Sequence, residues 1–213
     1  MKKVNLLTSD DVEITANYIP IENNERAVVL LHMMPATKES WDDLVEQLNN
    51  NGYTTLAIDL RGHGESQNGP EGYKSFIDQE HQESYLDVEA AIDYLEEKGI
   101  ERKNISIIGA SIGANLALDA LTQYQSIKKA VALSPGLNYK GLSSEQAIKD
   151  LLENQKTLLI ASEDDKYSYE SILQLKKLKE NNIELLTLTD AGHGTNMFFN
   201  HPELMDQIIK WIE

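Results

Sequence analysis

The pentapeptide Gly109-Ala110-Ser111-Ile112-Gly113 constrains this chain more than any other feature. Ahead of it runs Asn104-Ile105-Ser106-Ile107-Ile108, a short β-branched segment. Behind it runs Ala114-Asn115-Leu116-Ala117-Leu118-Asp119-Ala120-Leu121, with strong helix formers and apolar positions at helical spacing. The serine therefore sits on a sharp strand-to-helix turn. Flanking glycines lack Cβ atoms, so the backbone turns tightly and strand and helix approach closely. Such a turn raises a serine hydroxyl above a sheet and leaves the first amides of a helix beside it, where they can stabilise a developing oxyanion.

The rest of the chain repeats the strand-then-helix alternation. Residues 2–8 and 12–19 read as two strands joined at Ser9-Asp10-Asp11, a hairpin. Ala27-Val28-Val29-Leu30-Leu31 is a continuous apolar run, the pattern of a parallel strand buried on both faces. Residues 39–50 read as a helix with Trp41, Leu44, Val45 and Leu48 on one face, and 53–58 as the next strand. A polar loop rich in Gly and Glu runs from Arg61 to about Gln79. An amphipathic helix over 82–97 ends at Gly99. Strands at 104–109, 129–133, 157–161 and 183–188 then alternate with helices at 112–124, 144–153, 169–181 and 202–212. This pattern predicts an α/β architecture: a mostly parallel twisted sheet with an N-terminal antiparallel hairpin and helices on both faces. No linker or repeat divides residues 1–213, so one domain is expected. The stretch from Ser134 to Gln155 is too short for a lid domain and predicts an open, shallow cleft.

Charge and composition narrow the partners. A net charge of -16 argues against nucleic-acid backbones and anionic membrane surfaces, both of which would repel the chain. The absence of cysteine excludes disulfides, cysteine nucleophiles and thiolate metal sites. The start of the chain is too short and polar for a signal segment, and no apolar run approaches the ~20 residues needed to span a bilayer. A cytoplasmic location is the expectation; the oligomeric state is left undetermined.

A serine hydroxyl needs a base for its proton, an acid to orient that base, and donors for the oxyanion. In open α/β sheets these belong at the carboxyl ends of the strands. Of five histidines, His193 follows the last strand within Asp190-Ala191-Gly192-His193-Gly194, where flanking glycines suit close placement of an imidazole. Three acids, Glu163, Asp164 and Asp165, follow the strand before it. His63 lies in Asp59-Leu60-Arg61-Gly62-His63-Gly64-Glu65-Ser66, ahead of the serine, and that loop reads as structural. The oxyanion donors are expected to be the backbone amides of Ile112, directly after the serine, and of Met34, in the loop after strand 27–31. The side chains of Met33 and Met34 either line an acyl pocket or fill the core. No metal-ligand spacing of the H-x-x-x-H or H-E-x-x-H kind occurs.

These segments together resemble the α/β-hydrolases, in the small lid-less branch of carboxylesterase-like and dienelactone-hydrolase-like proteins. Gly109-Ala110-Ser111-Ile112-Gly113 resembles the elbow, Leu31-His32-Met33-Met34 the His-Gly oxyanion segment, and Asp59 to Ser66 the D-x-R-G-x-G-x-S turn. Ser162-Glu163-Asp164-Asp165 resembles the G-x-x-D acid loop, and Ala191-Gly192-His193-Gly194 the histidine loop. The resemblance implies a single-domain α/β-hydrolase fold and a triad of Ser111, Asp165 and His193. Met33 stands where the family has glycine, which crowds the oxyanion segment. Ser162 also replaces a glycine, so Asp164 stays open as the alternative acid. The serine in place of the cysteine of dienelactone hydrolases favours ester hydrolysis over dienelactone chemistry.

The expected activity is therefore cleavage of small carboxylic esters through an acyl-enzyme, without a cofactor or metal and with a small-molecule ester as the partner. Tyr139 and Leu142 join Met33 and Met34 as expected walls of the substrate pocket. Thioester hydrolysis, acyl transfer and a non-catalytic binding role on the same fold are the alternatives.

Overall fold

In the computed structural model, which describes residues 1–213, eight strands form one sheet and two very short strands form a separate hairpin. The sheet strands are β1 (Lys2–Leu7), β2 (Glu13–Ile19), β3 (Ala27–Leu31), β4 (Thr54–Ile58), β5 (Ile105–Ala110), β6 (Lys129–Leu133), β9 (Lys156–Ser162) and β10 (Ile183–Leu188). Their order is β1-β2-β4-β3-β5-β6-β9-β10. Strand β2 pairs antiparallel with β1 and with β4, and every other pair is parallel. The central parallel strands are buried along nearly their whole length, and β3 is wholly apolar, because helices cover both of their faces.

Side chains alternate between the two layers with the period of the pleat. Val28, Leu30, Ile108, Ala110, Val131 and Leu133 face one side, where α1 (Asp42–Asn50), α7 (Met197–Asn200) and α8 (Glu203–Ile212) cover them. Ala27, Val29, Leu31, Ile107, Ala130 and Ala132 face the other, under α3 (Tyr85–Glu97), α4 (Ile112–Gln123), α5 (Ser144–Asp150) and α6 (Lys166–Leu178). Helix α8 shows why it docks: Leu204, Met205, Ile208, Ile209 and Ile212 fall on one stripe and all are buried. Each such aliphatic side chain contributes on the order of 1.5–3 kcal/mol by leaving water. No helix is long and apolar enough to cross a membrane.

Three segments depart from the sequence expectation. The 39–50 helix begins with a 3₁₀ turn, Lys38–Trp41, before α1. The 82–97 helix is two pieces, α2 (Asp78–Gln82) and α3, separated at Glu83 and Ser84; α2 starts inside the expected loop because the Glu80 carboxylate accepts the Ile77 N–H at 2.8 Å. The stretch after β6 contains a hairpin, β7 (Asn138–Tyr139) and β8 (Leu142–Ser143). Its turn is Lys140-Gly141, at φ +53° and +87°. Positive φ at both central residues is the hairpin turn that matches strand twist, and the Asn138 side chain accepts the Gly141 N–H at 2.8 Å. No lid domain is inserted here: 134–155 holds only this hairpin and the seven residues of α5.

The loop after β4 is held by buried charge. Asp59 is fully buried and accepts the Lys38 ammonium at 2.6 Å, the Lys38 N–H at 2.8 Å and the Glu65 N–H at 2.9 Å. Burial alone would drive the Lys38 ammonium toward neutrality. The carboxylates of Asp59, Glu65 and Glu39 outweigh it and hold Lys38 above its usual range. Gly64 is required here, since a Cβ would stand 2.2 Å from Asp59 Oδ2. Arg61 donates through Nε to the fully buried Asp87 on α3 at 2.9 Å and through Nη1 to Asp10 at 2.8 Å. This ionic bracing fits the structural reading of the Asp59–Ser66 turn.

Candidate active site

The elbow is built as its glycines require. Ser111 lies between β5 and α4 at φ +54° and ψ −118°, a sparsely populated region for a residue with a Cβ. A Cβ on Gly109 would stand 1.9 Å from the Gly113 carbonyl oxygen, and one on Gly113 would stand 2.3 Å from the Leu31 carbonyl oxygen. The first glycine lets the helix fold back over its own strand. The second lets α4 lie against the end of β3, which brings the loop after β3 to the serine. The Ser111 N–H is itself tied down, donating to the Leu133 carbonyl at 2.8 Å.

Ile112 is the first residue of α4, so its N–H is among the amides that have no acceptor within the helix. The Met34 amide is aimed by a histidine. His32 is fully buried, and its Nε2 accepts the Leu60 N–H at 3.0 Å. The proton must then reside on Nδ1, which donates to the Met33 carbonyl at 2.9 Å. The Met33 carbonyl and the Met34 N–H belong to one planar trans peptide and point in opposite directions. Fixing the first fixes the second, and the Met34 N–H donates to no backbone acceptor.

Protonating His32 would set an N–H against the Leu60 N–H. Burial first, and then the neighbouring His63, lower the His32 pKa from 6.5 to about 4. An unfolded chain protonates this histidine near 6.5, whereas the folded chain resists until about 4. The unfolded state thus binds more protons in that window. Stability contributed by neutral His32 is complete above pH 6.5 and is lost as pH falls toward 4, a difference of about 3 kcal/mol. Urea midpoints measured across this window are expected to fall with pH. The fall is expected to be smaller in His32→Gln, whose amide supplies both an N–H and a carbonyl oxygen; an unchanged slope would assign the acid sensitivity to other groups.

His193 follows β10 with its side chain about a third exposed, and its Nδ1 lies 2.7 Å from Asp165 Oδ2. Asp165 is the residue before α6. Burial raises its carboxyl, but hydrogen bonds from His193 and from the Ser168 and Ser134 hydroxyls outweigh this and hold it below its usual range. It is therefore an anion at neutral pH.

The neighbouring acids do different things. Asp164 accepts the Ala191 N–H at 3.2 Å, the Gly192 N–H at 3.1 Å and the Ser162 hydroxyl. It staples the acid loop to the histidine loop but does not meet the histidine. Ser162, which stands where the resembled family has glycine, takes part in this staple and also accepts the Ala191 N–H at 3.0 Å. Glu163 makes no side-chain hydrogen bond to the histidine loop and contributes its backbone N–H to the Leu188 carbonyl at 2.8 Å.

Ser134 is a site residue that the sequence reading passes over. It follows β6 at φ +50°. Its N–H donates to the Ile160 carbonyl at 2.7 Å, and its hydroxyl accepts the Gly194 N–H at 2.9 Å. One residue thus fixes the histidine loop against the central strands. The only sequence signal is the Ser-Pro-Gly at a strand end.

The expected pocket residues divide. Met33 packs on the histidine loop, its Sδ 2.5 Å from where a Cβ on Gly194 would stand. Met34 borders a cavity of about 370 Å³, described below. Tyr139 is half-buried, with its hydroxyl 3.3 Å from Ser168 Oγ. Burial raises its pKa, partly offset by the Ser168 and Ser111 hydroxyls, so the phenol stays protonated beside the serine. Leu142 is not a pocket wall. It is buried in the core against α4, and its carbonyl accepts the Asn115 amide at 2.8 Å. The backbone of the β7–β8 hairpin needs an apolar anchor, and Leu142 is that anchor.

The cavity is lined by Met34, Pro35, Tyr73 and Phe76, with Lys74, His81 and Lys140 as its cationic and basic members. It lies beneath the contact between α2 and the hairpin turn, where Gln82 Nε2 donates to the Lys140 carbonyl at 3.1 Å. The 61–82 segment, which the sequence reading treats as a polar loop, thus supplies Tyr73, Lys74, Phe76 and His81 to this cavity. His63 on that segment is buried, with Nδ1 at 3.0 Å from the Arg61 carbonyl and its ring stacked on Tyr73 at 4.0 Å. It braces the wall and does not approach the acid loop. No three His, Asp or Glu side chains converge as metal ligands.

Comparison with known proteins supports the fold. A family profile described as serine aminopeptidase, S33, matches residues 22–163. A protein of Synechocystis sp., provisionally named a non-heme chloroperoxidase, is 30% identical over 110 residues, covering 51% of this chain and 36% of that protein. The chain thus spans little more than a third of that curated relative. An esterase of Pyrococcus furiosus, Pf2001, superposes with a TM-score of 0.78 at 23% identity, over 99% of this chain and 89% of that one. The esterase EaEST of Exiguobacterium antarcticum superposes with a TM-score of 0.78 at 13% identity, over 99% of both chains. At such identities the structural likeness is one of fold.

Proposed function

Because the chain belongs to the family of α/β-hydrolases typified by serine aminopeptidase, S33, and is a hydrolase of that fold, we propose that it cleaves small carboxylic esters with Ser111 as nucleophile. The observation that carries this reading is the 2.7 Å contact of His193 Nδ1 with Asp165, on loops that follow adjacent strands of the sheet that presents Ser111. With Nδ1–H held by an anion, Nε2 is the free basic nitrogen. Ser111 Oγ attacks the ester carbonyl and passes its proton to Nε2. The Met34 and Ile112 amides receive the oxyanion. His193 then protonates the leaving alcohol, and Asp165 stabilises the imidazolium. Water attacks the acyl-enzyme by the same route in reverse. No step calls for a cofactor or a metal.

The family is named for a peptidase that releases N-terminal residues. A free α-ammonium would meet Lys74 and Lys140 at the cavity beside Met34, which favours an ester over such a peptide as its occupant.

Two measurements test the ester reading. A fluorophosphonate probe is expected to label the wild-type chain stoichiometrically, and no labelling would reject a serine nucleophile. Across p-nitrophenyl esters from acetate to palmitate, kcat/KM is expected to peak at short chains, roughly two to six carbons, because a partly open cleft buries few methylenes at ~0.8 kcal/mol each. A peak at palmitate, or a jump in rate on emulsified substrate, would reveal a long acyl tunnel or a moving lid.

A further inference from the structure

The chain carries 35 acidic and 19 basic residues, yet the cavity beside Met34 contains no acid among its walls. It has an apolar floor of Met34, Pro35, Tyr73 and Phe76, and a rim of Lys74, Lys140 and His81. Resting on the ester-hydrolase reading, we propose that this cavity holds the arm of the substrate remote from the scissile carbonyl, and that this arm is a short apolar segment ending in a carboxylate.

The lysines are available for such a ligand. Lys74 Nζ lies 2.5 Å from Glu71 and Lys140 Nζ 3.8 Å from Asp78, both acids standing outside the lining. In both pairs each partner is about half or more exposed, so neither lysine is committed, because water screens such pairs and leaves them weak. An incoming carboxylate can take both ammonium groups at little cost. His81 is buried and packs edge-on to Phe76, with ring centroids 5.5 Å apart. Burial, and then the charge of Lys140, lower its pKa, so at neutral pH it offers a hydrogen bond rather than a third charge.

The rim is positioned while its ends stay mobile. The Lys140 backbone is fixed by the two-residue turn, by Gln82 on its carbonyl and by the Asn115 amide on Gly136 and Leu142. Its four-carbon stem remains free to swing. The field of the whole molecule adds selectivity. On a chain at -16 most of the surface disfavours anions, so a local cationic rim beside the oxyanion segment favours the approach of an anionic ester there.

Two matched pairs of esters test the proposal. p-Nitrophenyl hemiglutarate against p-nitrophenyl pentanoate places the carboxylate on the acyl arm; m-carboxyphenyl butanoate against phenyl butanoate places it on the alcohol arm. In one pair the charged ester is expected to lead in kcat/KM by about tenfold at low salt, and the lead is expected to shrink as salt screens the rim. Lys74→Met/Lys140→Met is expected to abolish that lead. Neutral esters ahead in both pairs, or a lead that survives the double substitution, would overturn the proposal. Phenoxybutanoate, an ether that no hydrolase can cleave at this position, gives a readout independent of catalysis. Its Kd by calorimetry is expected to weaken about tenfold in the double variant. An unchanged Kd overturns the cavity assignment. Loss of all ester cleavage and of fluorophosphonate labelling, with that binding intact, would instead reject the ester-hydrolase reading and leave an anion-binding cavity.

Discussion

Ser111→Ala is expected to lower kcat for ester hydrolysis by a factor on the order of 10⁴–10⁶ while leaving the fold in place. The side chain makes no capping bond to α4, so its loss removes the attacking oxygen and its contact with the Tyr139 phenol but leaves the helix start as it was. Alanine carries the same Cβ as serine, so the strain of φ +54° is unchanged and Tm should shift little. Ser111→Gly separates the two roles further. Glycine relieves a conformation that costs on the order of 1–3 kcal/mol, so this variant is expected to melt higher than wild type while being equally inactive. That combination is the mark of strain stored at a working residue. A Ser111→Ala protein retaining more than a tenth of the wild-type rate would remove Ser111 from the chemistry. A Ser111→Gly protein that melts lower would mean that the turn is held by the serine rather than against it.

The serine and its sheet were legible because both rest on continuous local signals. Strand β3 is an unbroken apolar run and its parallel neighbours are largely apolar, which burial on both faces rationalises, and the elbow is a fixed pentapeptide between two strong propensities. What the sequence hid depends on contacts between distant segments. Strands β7 and β8 are two residues each and carry no periodicity, so Leu142 read as a loop residue free to face a ligand when it is the apolar anchor of a hairpin. The cavity draws its walls from residues 34–35, 73–81 and 140, three stretches with no shared pattern. The aromatics Tyr73 and Phe76 in an otherwise polar loop were the available hint. Ser134 escaped because its role lies in the direction of one hydroxyl, set by a positive φ that a serine does not announce.

The acid loop is the sharpest case, since Asp164 and Asp165 are chemically identical neighbours and only their partners separate them. Asp165→Asn is expected to cost about 10⁴ in kcat. The amide nitrogen of asparagine can donate to His193 Nδ1, which would move the imidazole proton to Nε2 and leave no basic nitrogen to receive the serine proton. Because the packing volume is unchanged, Tm should stay near wild type and fluorophosphonate labelling should slow in parallel with hydrolysis. Asp164→Asn acts on geometry instead. Its two oxygens receive the N–H groups of Ala191 and Gly192, and an amide there sets a donor against a donor. Losing charge-assisted bonds at this exposed site weakens the staple between the two loops, so a modestly lower Tm with kcat within about tenfold is expected. Measured together, the pair of variants should show activity lost without stability at one position and stability lost with little activity at the other. The reverse pattern would transfer the orienting role to Asp164. Small effects on kcat at both would mean that the 2.7 Å contact between Asp165 and His193 does not serve the reaction, and the acid would have to be sought on another strand end.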